Sequence, residues 1–398
     1  MNPGFEGLHP YPFEKLKALK ADATPPQALS HIALSIGEPK HATPSIISEA
    51  VLTHLHHLSS YPATLGSLEL RQAIIGWLNN RFGLPYGSLS TGKNILPVNG
   101  TREALFAFAQ AMIDPATKSL VLMPNPFYQI YEGAALLAGA EPQYLNCDEQ
   151  NGFIPDFDAI SDETWKRCRI LYLCSPGNPT GAVIDMKTQQ RLIELAHKHD
   201  FIIASDECYS EIYYDEQNPP AGLLQAAAEM GNDSYSNCIV FHSLSKRSNA
   251  PGLRSGFVAG DANIIAAFLR YRTYHGCAMP LHHQAASCVA WKDEKHVQEN
   301  RALYQAKFDA VLEILGDVLE VARPDAGFYL WPKTPIAETD FARKLIEEQN
   351  MTVLPGSYLS RDTAAGNPGK NRVRMALVAP LEECIEAAQR IKTCVESC

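Results

Sequence analysis

Lys246 and Asp206 are the two side chains whose type and setting most clearly indicate covalent chemistry. Lys246 follows an apolar run and has Ser243, Ser245 and Arg254 nearby in the chain. A partly desolvated lysine with cationic neighbours has a lowered pKa, as an amine that condenses with a carbonyl requires. Asp206 ends another apolar run, where a carboxylate is costly unless it meets a cation or hydrogen-bond donors. Taken singly, Lys246 could be a surface lysine and Asp206 a helix cap.

Two further positions are suited to binding anions. Gly100, Thr101 and Arg102 open a predicted helix directly after a predicted strand. Free backbone N–H groups and the helix dipole favour a phosphate there, although an ordinary helix cap has the same pattern. Arg374 alternates with apolar neighbours, so its guanidinium either binds a planar carboxylate or forms a structural ion pair. Arg372 lies on the same face and is the competing choice.

The elements that must position these residues follow a repeating pattern of apolar run, turn and amphipathic stretch. We predict helices over residues 101–112, 128–137 and 186–199. Short apolar runs that alternate with helical patterns indicate an α/β fold with a mostly parallel central sheet covered on both faces. The predicted strands are residues 94–98, 119–123, 169–174, 201–205, 238–242 and 256–260.

Polar or aromatic residues follow five of these runs. Ligands of open parallel sheets bind beyond the carboxyl ends of the strands, so five such ends in order predict one shared ligand site. From about residue 289 the pattern changes to a helix over 295–315, strands in 327–331 and 372–378, and a final helix over 381–395. We therefore expect a large ligand-binding domain over residues 41–288 and a small α+β domain over 289–398, against which residues 1–40 pack.

Composition excludes several classes of function. The 398 residues include 34 basic and 44 acidic side chains, for a net charge of −10. A chain this acidic is a poor candidate for binding nucleic acid or an anionic membrane. The ten cysteines are scattered, no C-x-x-C pair occurs, and the first 20 residues do not resemble a secretory signal. We expect reduced thiols and a cytoplasmic protein.

Two motif-like strings do not support other chemistries. Residues 87–93 resemble a phosphate-binding loop, but Asn94 stands where Ser or Thr is required and a strand follows instead of a helix. His54, His56 and His57 lack cysteine or carboxylate companions at metal-ligand spacing, so we predict no metal site. The dinucleotide-binding pattern G-x-G-x-x-G does not occur.

Taken together, these motifs resemble those of the fold-type I, class I and II aminotransferases, which depend on pyridoxal 5′-phosphate. The resemblance runs from about residue 32 to the C-terminus, and its motifs occur in the family's order and spacing. It implies the fold of that family, a large domain with a mostly parallel sheet and a small α+β domain. The matching positions are Gly37, Tyr61, Gly66, residues 99–102, residues 178–181, residues 206–209, residues 243–246, Arg254 and Arg374.

The resemblance also implies a role for each matching residue. Lys246 resembles the lysine that binds the cofactor covalently and moves the substrate proton, and Asp206 the carboxylate that keeps the pyridine nitrogen protonated. Tyr209 and Asn178 resemble the pair that hydrogen-bonds the ring oxygen, and Tyr128 the aromatic residue stacked on the ring, with Phe127 as its neighbour. The implied phosphate site consists of Gly100, Thr101, Arg102, Ser243, Ser245 and Arg254. Gly37, Asn178 and Arg374 resemble the group that binds the substrate carboxylate. Tyr61 resembles a tyrosine that reaches the phosphate from the other subunit, which implies a homodimer with shared active sites.

Four segments, residues 11–16, 61–66, 244–253 and 274–280, resemble one branch of the family, the bacterial N-succinyldiaminopimelate aminotransferases. That resemblance implies amino transfer between glutamate and N-succinyl-2-amino-6-oxopimelate in lysine and diaminopimelate biosynthesis. An aspartate or aromatic aminotransferase, or a β-lyase that uses the same cofactor, would keep nearly every motif. A non-catalytic regulator that binds the cofactor is a further alternative. Lys15, Arg270 and Arg272 are candidates for the extra substrate carboxylates, although a surface ion pair explains each of them better.

Overall fold

The helices of the computed structural model, which describes residues 1–397, cover most of the amphipathic stretches of the sequence. The predicted helix over residues 128–137 begins two residues later than expected, and the other predicted helices are confirmed to within one residue. In chain order the helices are α1 (Pro12–Lys20), α2 (Ser45–Thr53), α3 (Leu68–Phe82), α4 (Thr101–Met112), α5 (Ile130–Leu137), α6 (Asp162–Arg167), α7 (Met186–His199), α8 (Leu223–Glu229), α9 (Leu244–Arg247), α10 (Ala262–His275), α11 (Leu281–Lys292), α12 (Lys295–Leu315), α13 (Glu338–Gln349) and α14 (Leu381–Glu396).

The strands form one large sheet and two small ones. The large sheet has seven strands in the order β2-β8-β7-β6-β5-β3-β4, and β8 alone runs antiparallel to its neighbours. The prediction of an α/β fold with a mostly parallel sheet is therefore confirmed. The strands are β1 (Ile32–Ala33), β2 (Ile95–Val98), β3 (Leu120–Asn125), β4 (Glu141–Asn146), β5 (Cys168–Cys174), β6 (Ile202–Asp206), β7 (Cys238–Ser243), β8 (Gly256–Gly260), β9 (Tyr329–Leu330), β10 (Met351–Thr352), β11 (Leu354–Pro355) and β12 (Val373–Ala376).

Strand β4 is the one element of the large sheet that the sequence did not predict. It lies at the sheet edge, beside β3, and most of its residues are half-exposed. An edge strand that is only partly covered needs no continuous apolar run, so it lacks the signal that identified the buried strands.

The large sheet is buried on both faces because successive side chains of a strand point to opposite sides. Leu171 and Ile203 pack into one hydrophobic cluster with α3, α7, α8 and α11. Their neighbours Ile170 and Ile202 pack into a second cluster with α4, α5 and α10. The central strands are mostly apolar for this reason, and the carboxyl ends of β3, β5, β6 and β7 lie along one edge of the sheet.

The C-terminal part forms a smaller unit around an antiparallel sheet of order β11-β12-β9. The N-terminal segment joins it, since β1 pairs with β10 in parallel and Ile32 and Leu34 lie in the same cluster as Phe341 and Ile391. The exact boundaries at residues 40 and 288 stay predictions. In the part of the chain that is described, no helix is both long and apolar enough to cross a membrane.

Candidate active site

A cavity of about 610 Å³ opens at the carboxyl ends of the large sheet's strands and reaches the small sheet. Its volume falls within the range of roughly 300–1,000 Å³ that is typical of small-molecule sites. It brings together residues that the sequence places in five separate loops and in both units. The sequence-predicted residues that line it are Gly37, Thr101, Arg102, Tyr128, Asn178, Asp206, Tyr209, Ser243, Ser245, Lys246, Arg254 and Arg374.

Lys246 lies on the short helix α9, directly after β7, and its ammonium faces the N-terminal segment. Its Nζ donates a hydrogen bond to the carbonyl of Gly37 and lies 5.3 Å from the centre of the Phe328 ring. Burial lowers the pKa of Lys246 to about 8. A large fraction of this amine is therefore neutral slightly above neutral pH, and the neutral form is the nucleophile.

Asp206 ends β6 and is 5% exposed. Burial raises the pKa of its carboxyl, and hydrogen bonds partly oppose that effect. The hydroxyl of Tyr131 donates to Oδ2 at 2.7 Å, and the backbone N–H of Cys208 donates to Oδ1 at 3.3 Å. The sequence allowed a helix cap here, but the next helix, α8, begins only at Leu223. The Cys208 contact therefore belongs to a turn, and the carboxylate lines the cavity. A cation in the cavity would stabilise this buried charge.

Tyr131 is a site residue that the sequence analysis missed. Its side chain is fully buried, and its ring stacks on that of Tyr172 with centroids 4.7 Å apart. Burial is the main reason that its pKa lies well above the ordinary value, so the hydroxyl stays protonated and acts as a donor. Its position on α5 fits an ordinary core residue, so no sequence signal connects it with Asp206, 75 positions away.

The phosphate-binding residues that the sequence predicts lie at one end of the cavity. Gly100 has φ of +83° and precedes the first turn of α4. A Cβ on Gly100 would collide with the guanidinium of Arg254, so only glycine allows this close approach. Ser243 donates to Ser245 Oγ at 2.9 Å beside them. The combination of helix N-terminus, arginine and hydroxyl donors suits a phosphate.

The choice between Tyr128 and Phe127 is resolved by burial. Tyr128 lines the cavity, and its hydroxyl accepts a hydrogen bond of 2.6 Å from Nε of Arg102. Phe127 is 1% exposed and stacks on Tyr144 in the interior, with ring centroids 5.5 Å apart. Tyr128 is therefore the aromatic side chain available to a bound ring.

The choice between Arg374 and Arg372 is resolved by their partners. Arg374 lines the cavity and donates to Asn178 Oδ1 at 3.0 Å and to the Ser35 carbonyl at 2.8 Å. Arg372 instead donates to the Trp331 carbonyl at 2.8 Å and to the carboxylate of Glu149 at 3.1 Å. The planar guanidinium of Arg374 is thus the one held toward a ligand.

Tyr329 is a second residue that sequence reasoning missed. Its hydroxyl lies 3.0 Å from that of Tyr209, and its ring lies 4.6 Å beneath the guanidinium of Arg374. A Cβ on Gly37 would overlap the Tyr329 hydroxyl. Tyr329 therefore links two predicted ligand-binding groups, and the glycine at position 37 is required for the segment to pass over it.

Other candidates lie outside this cavity. Arg272 is fully buried and pairs with Glu103 at 2.7 Å, so it forms an interior ion pair where the sequence allowed a surface one. The ammonium of Lys15 lies 5.7 Å from the Tyr358 ring centre. Arg270 is exposed.

Tyr61 is fully exposed to solvent and does not line the cavity of its own chain. The rings of His54, His56 and His57 stack on one another.

The residues present fit pyridoxal 5′-phosphate, the cofactor that the resemblance implies. A buried carboxylate at Asp206 suits a protonated ring nitrogen, and Lys246 supplies an amine in the same cavity. The cradle at Gly100, which a Cβ would fill, lies against the guanidinium of Arg254 as a phosphate site requires. These three features suit a ring nitrogen, an aldehyde and a phosphate on one ligand. Pyridoxal 5′-phosphate carries all three groups.

Comparison with known proteins gives the same family. The sequence profile "Aminotransferase class I and II" matches residues 30–391. The LL-diaminopimelate aminotransferase of Maridesulfovibrio salexigens is 34% identical over 394 residues, which cover 96% of each chain. The crystal structure of an aminotransferase from Neisseria meningitidis is 49% identical with a TM-score of 0.94 and 99% coverage of both chains. A probable N-succinyldiaminopimelate aminotransferase from Thermus thermophilus is 26% identical with a TM-score of 0.85, and 96% of this chain and 100% of that chain are covered.

The lowered pKa of Lys246 leads to a first prediction. Cofactor-free protein should bind pyridoxal 5′-phosphate covalently at a rate that rises with pH and levels off just above about pH 8, because the amine loses its proton there. Stopped-flow absorbance of the cofactor measures this rate. Lys246→Ala should abolish covalent binding. A rate that still rises toward the ordinary lysine pKa of about 10.4 would contradict the burial argument.

The hydrogen bond between Tyr131 and Asp206 leads to a second prediction. Tyr131→Phe removes a donor to a buried carboxylate, a bond of about 1.5–3 kcal/mol, and should lower kcat/KM roughly 10- to 100-fold. Tyr172→Phe is the matched control, because its hydroxyl is equally buried but donates to the Leu105 carbonyl at 2.8 Å. Equal losses in the two variants would show that packing, and not the carboxylate contact, matters.

Proposed function

The chain belongs to the class I and II aminotransferases, whose cofactor is pyridoxal 5′-phosphate, and we propose that it transfers an amino group between glutamate and an acceptor built on the diaminopimelate skeleton. One observation carries this proposal: three arginines line the same cavity as Lys246 and Asp206. Arg254 lies against the Gly100 cradle, which leaves Arg374 and Arg102 for two substrate carboxylates. An α-amino acid with a second, distal carboxylate needs two cationic contacts, and a guanidinium pairs with each carboxylate bidentately.

The residues of the cavity divide the chemical work among them. When bound, pyridoxal 5′-phosphate supplies an aldehyde and an electron-accepting ring. Arg374, oriented by Asn178 and the Ser35 carbonyl, would bind the substrate α-carboxylate. Lys246 Nζ would accept the proton from the substrate Cα and later donate it to the cofactor carbon that carried the aldehyde. The Asp206 carboxylate would hold a proton on the ring nitrogen, with Tyr131 keeping the carboxylate in place.

The sequence assigns Arg102 to the phosphate site, and we propose instead that its side chain binds the distal carboxylate. The backbone N–H groups of the first turn of α4 are available to the phosphate, which leaves the Arg102 side chain for another ligand group. Its Nε bonds to the Tyr128 hydroxyl, and Tyr11, at the start of α1, lines the same cavity. The N-terminal helix would then contribute to substrate choice from the side opposite the sheet.

The sequence predicts the N-succinylated acceptor. The similar Thermus thermophilus protein is named a probable N-succinyldiaminopimelate aminotransferase. The curated relatives that are 31–34% identical are instead named for LL-diaminopimelate itself. LL-diaminopimelate is therefore the second candidate. Both substrates present the same distal carboxylate, and they differ in whether the far amino group is acylated.

The choice of substrate gives a third prediction. Purified enzyme with 2-oxoglutarate should form glutamate from N-succinyl-LL-diaminopimelate with a higher kcat/KM than from LL-diaminopimelate. Glutamate is measured by a coupled assay, with aspartate and phenylalanine as controls for the other amino-transfer activities. Pyruvate released from cystathionine measures the β-lyase activity. A preference for LL-diaminopimelate supports the second candidate. Turnover of aspartate or phenylalanine alone refutes the diaminopimelate assignment, and no turnover at all would indicate a regulator.

We also propose a homodimer, with Tyr61 completing the active site of the partner. Tyr61 is fully exposed, and Leu52, Leu55 and Leu58 just before it expose large apolar side chains. Apolar residues clustered in this way are typical of a protein–protein contact.

We also propose a cytoplasmic location, as expected from the sequence.

The dimer proposal gives a fourth prediction. Leu58→Glu places a charge in the apolar segment and should shift sedimentation from dimer to monomer, with loss of activity in proportion. Leu303→Glu is the control, since Leu303 is 50% exposed on α12 and far in sequence from the proposed interface. A Leu58→Glu protein that remains dimeric and active would contradict this interface.

A further inference from the structure

Lys307 is a buried lysine that the chemistry above does not use. It lies on α12 and is 2% exposed. Its Nζ is 2.6 Å from Nε2 of His41 and donates to the Val378 carbonyl at 3.3 Å. The other titratable side chains facing it are Tyr304, whose ring centre is 5.0 Å away, and Cys384 of α14. A lysine buried in this way loses hydration and needs the acceptor that His41 supplies.

His41 connects Lys307 to the active site through further hydrogen bonds. Nδ1 of His41 lies 2.8 Å from Oδ1 of Asn300, which also accepts from Asn249 Nδ2 at 2.9 Å. Nδ2 of Asn300 donates to the backbone carbonyl of Lys246 at 3.3 Å. Lys307, His41 and Asn300 therefore form one continuous chain of hydrogen bonds that ends on the main chain of the active-site lysine.

The direction of every bond in this chain follows from the ammonium. A protonated lysine has three donors and no acceptor, so His41 Nε2 must accept from it. The imidazole hydrogen is then on Nδ1 and is donated to Asn300 Oδ1, which directs the Asn300 amide nitrogen to Lys246. Burial lowers the pKa of His41, which favours this neutral form of the ring.

The same histidine anchors the segment that crosses the active site. Gly37, whose carbonyl accepts from Lys246 Nζ, lies four residues before His41. The segment of residues 37–41 is therefore tied at its first residue to the side chain of Lys246 and at its last residue to α12. Thr43 adds a bond to the Asn249 carbonyl at 2.6 Å just beyond.

We infer that His41, Lys307 and Asn300 are positioning residues that hold the Gly37 segment and Lys246 in register for substrate binding. None of the three lines the cavity, so they act through the segment and not on the substrate. The inference rests on amino transfer and on glutamate as one substrate, and it is independent of which diaminopimelate-type acceptor is used.

The test compares His41→Leu with His41→Gln in the cofactor-loaded enzyme. Glutamine can accept from Lys307 through its oxygen and donate to Asn300 through its nitrogen, whereas leucine can do neither. His41→Leu should raise KM for glutamate about fivefold, the size of one net hydrogen bond, with a smaller change in kcat, and His41→Gln should restore KM. His31→Leu is the control, because His31 lies just before β1 in the same part of the chain but is exposed and contacts Thr352.

Hydrogen–deuterium exchange gives a readout that does not depend on turnover. Peptides covering residues 37–41 should exchange faster in His41→Leu than in the wild type, and at the wild-type rate in His41→Gln. Equal impairment in the leucine and glutamine variants, or an unchanged KM and exchange rate in His41→Leu, would overturn the inference. If His41→Leu does not fold, Lys307→Met breaks the same chain at its far end and carries the same expectations. A wild-type enzyme that ignores glutamate would refute the proposed function, and the exchange comparison would still test the positioning chain.

Discussion

A carboxylate buried at the end of β6 is the constraint on which the rest of this site depends. Asp206 is almost inaccessible to solvent, and burial raises the pKa of its carboxyl. Two donors, the Tyr131 hydroxyl and the Cys208 N–H, hold it in place without neutralising it. A negative charge in this setting favours a cation on the open side, and a protonated pyridine ring is such a cation. The parallel neighbours β5 and β7 then bring Asn178 and Lys246 to the same edge.

The proposed substrate site draws on all parts of the chain. Arg374 of the small sheet bonds to Asn178 of the large unit and to the carbonyl of Ser35 in the N-terminal segment. Lys246 bonds to Gly37 in that same segment. Displacement of one of these parts therefore alters the position of the α-carboxylate site relative to the amine. This coupling is the basis on which we propose that His41, outside the cavity, affects substrate affinity.

The sequence predicted the parts of the fold whose burial is strong and regular. Strands β5 and β6 are apolar at nearly every position because both faces of the sheet are covered, whereas the half-exposed edge strand β4 lacks that signal. Many of the predicted site residues could be found because they follow recognisable strands, as Asn178 follows β5 and Lys246 follows β7. Tyr131 and Tyr329 could not, since an interior tyrosine in a helix or strand has the same pattern whether or not its hydroxyl reaches a ligand group.

By itself, the sequence determined the α/β class, the succession of most strands and helices along the chain and the chemical types at the strand ends, because apolar periodicity and turn residues are local properties of the chain. Only the tertiary structure decided which of two equivalent arginines, and which of two adjacent aromatic residues, faces the cavity. Alternation along a strand places Arg372 and Arg374 on the same face, and their separate partners, Glu149 and Asn178, lie far away in sequence. The chain of bonds from Lys307 to Lys246 is likewise tertiary, because its three members approach only after the N-terminal segment packs against α12.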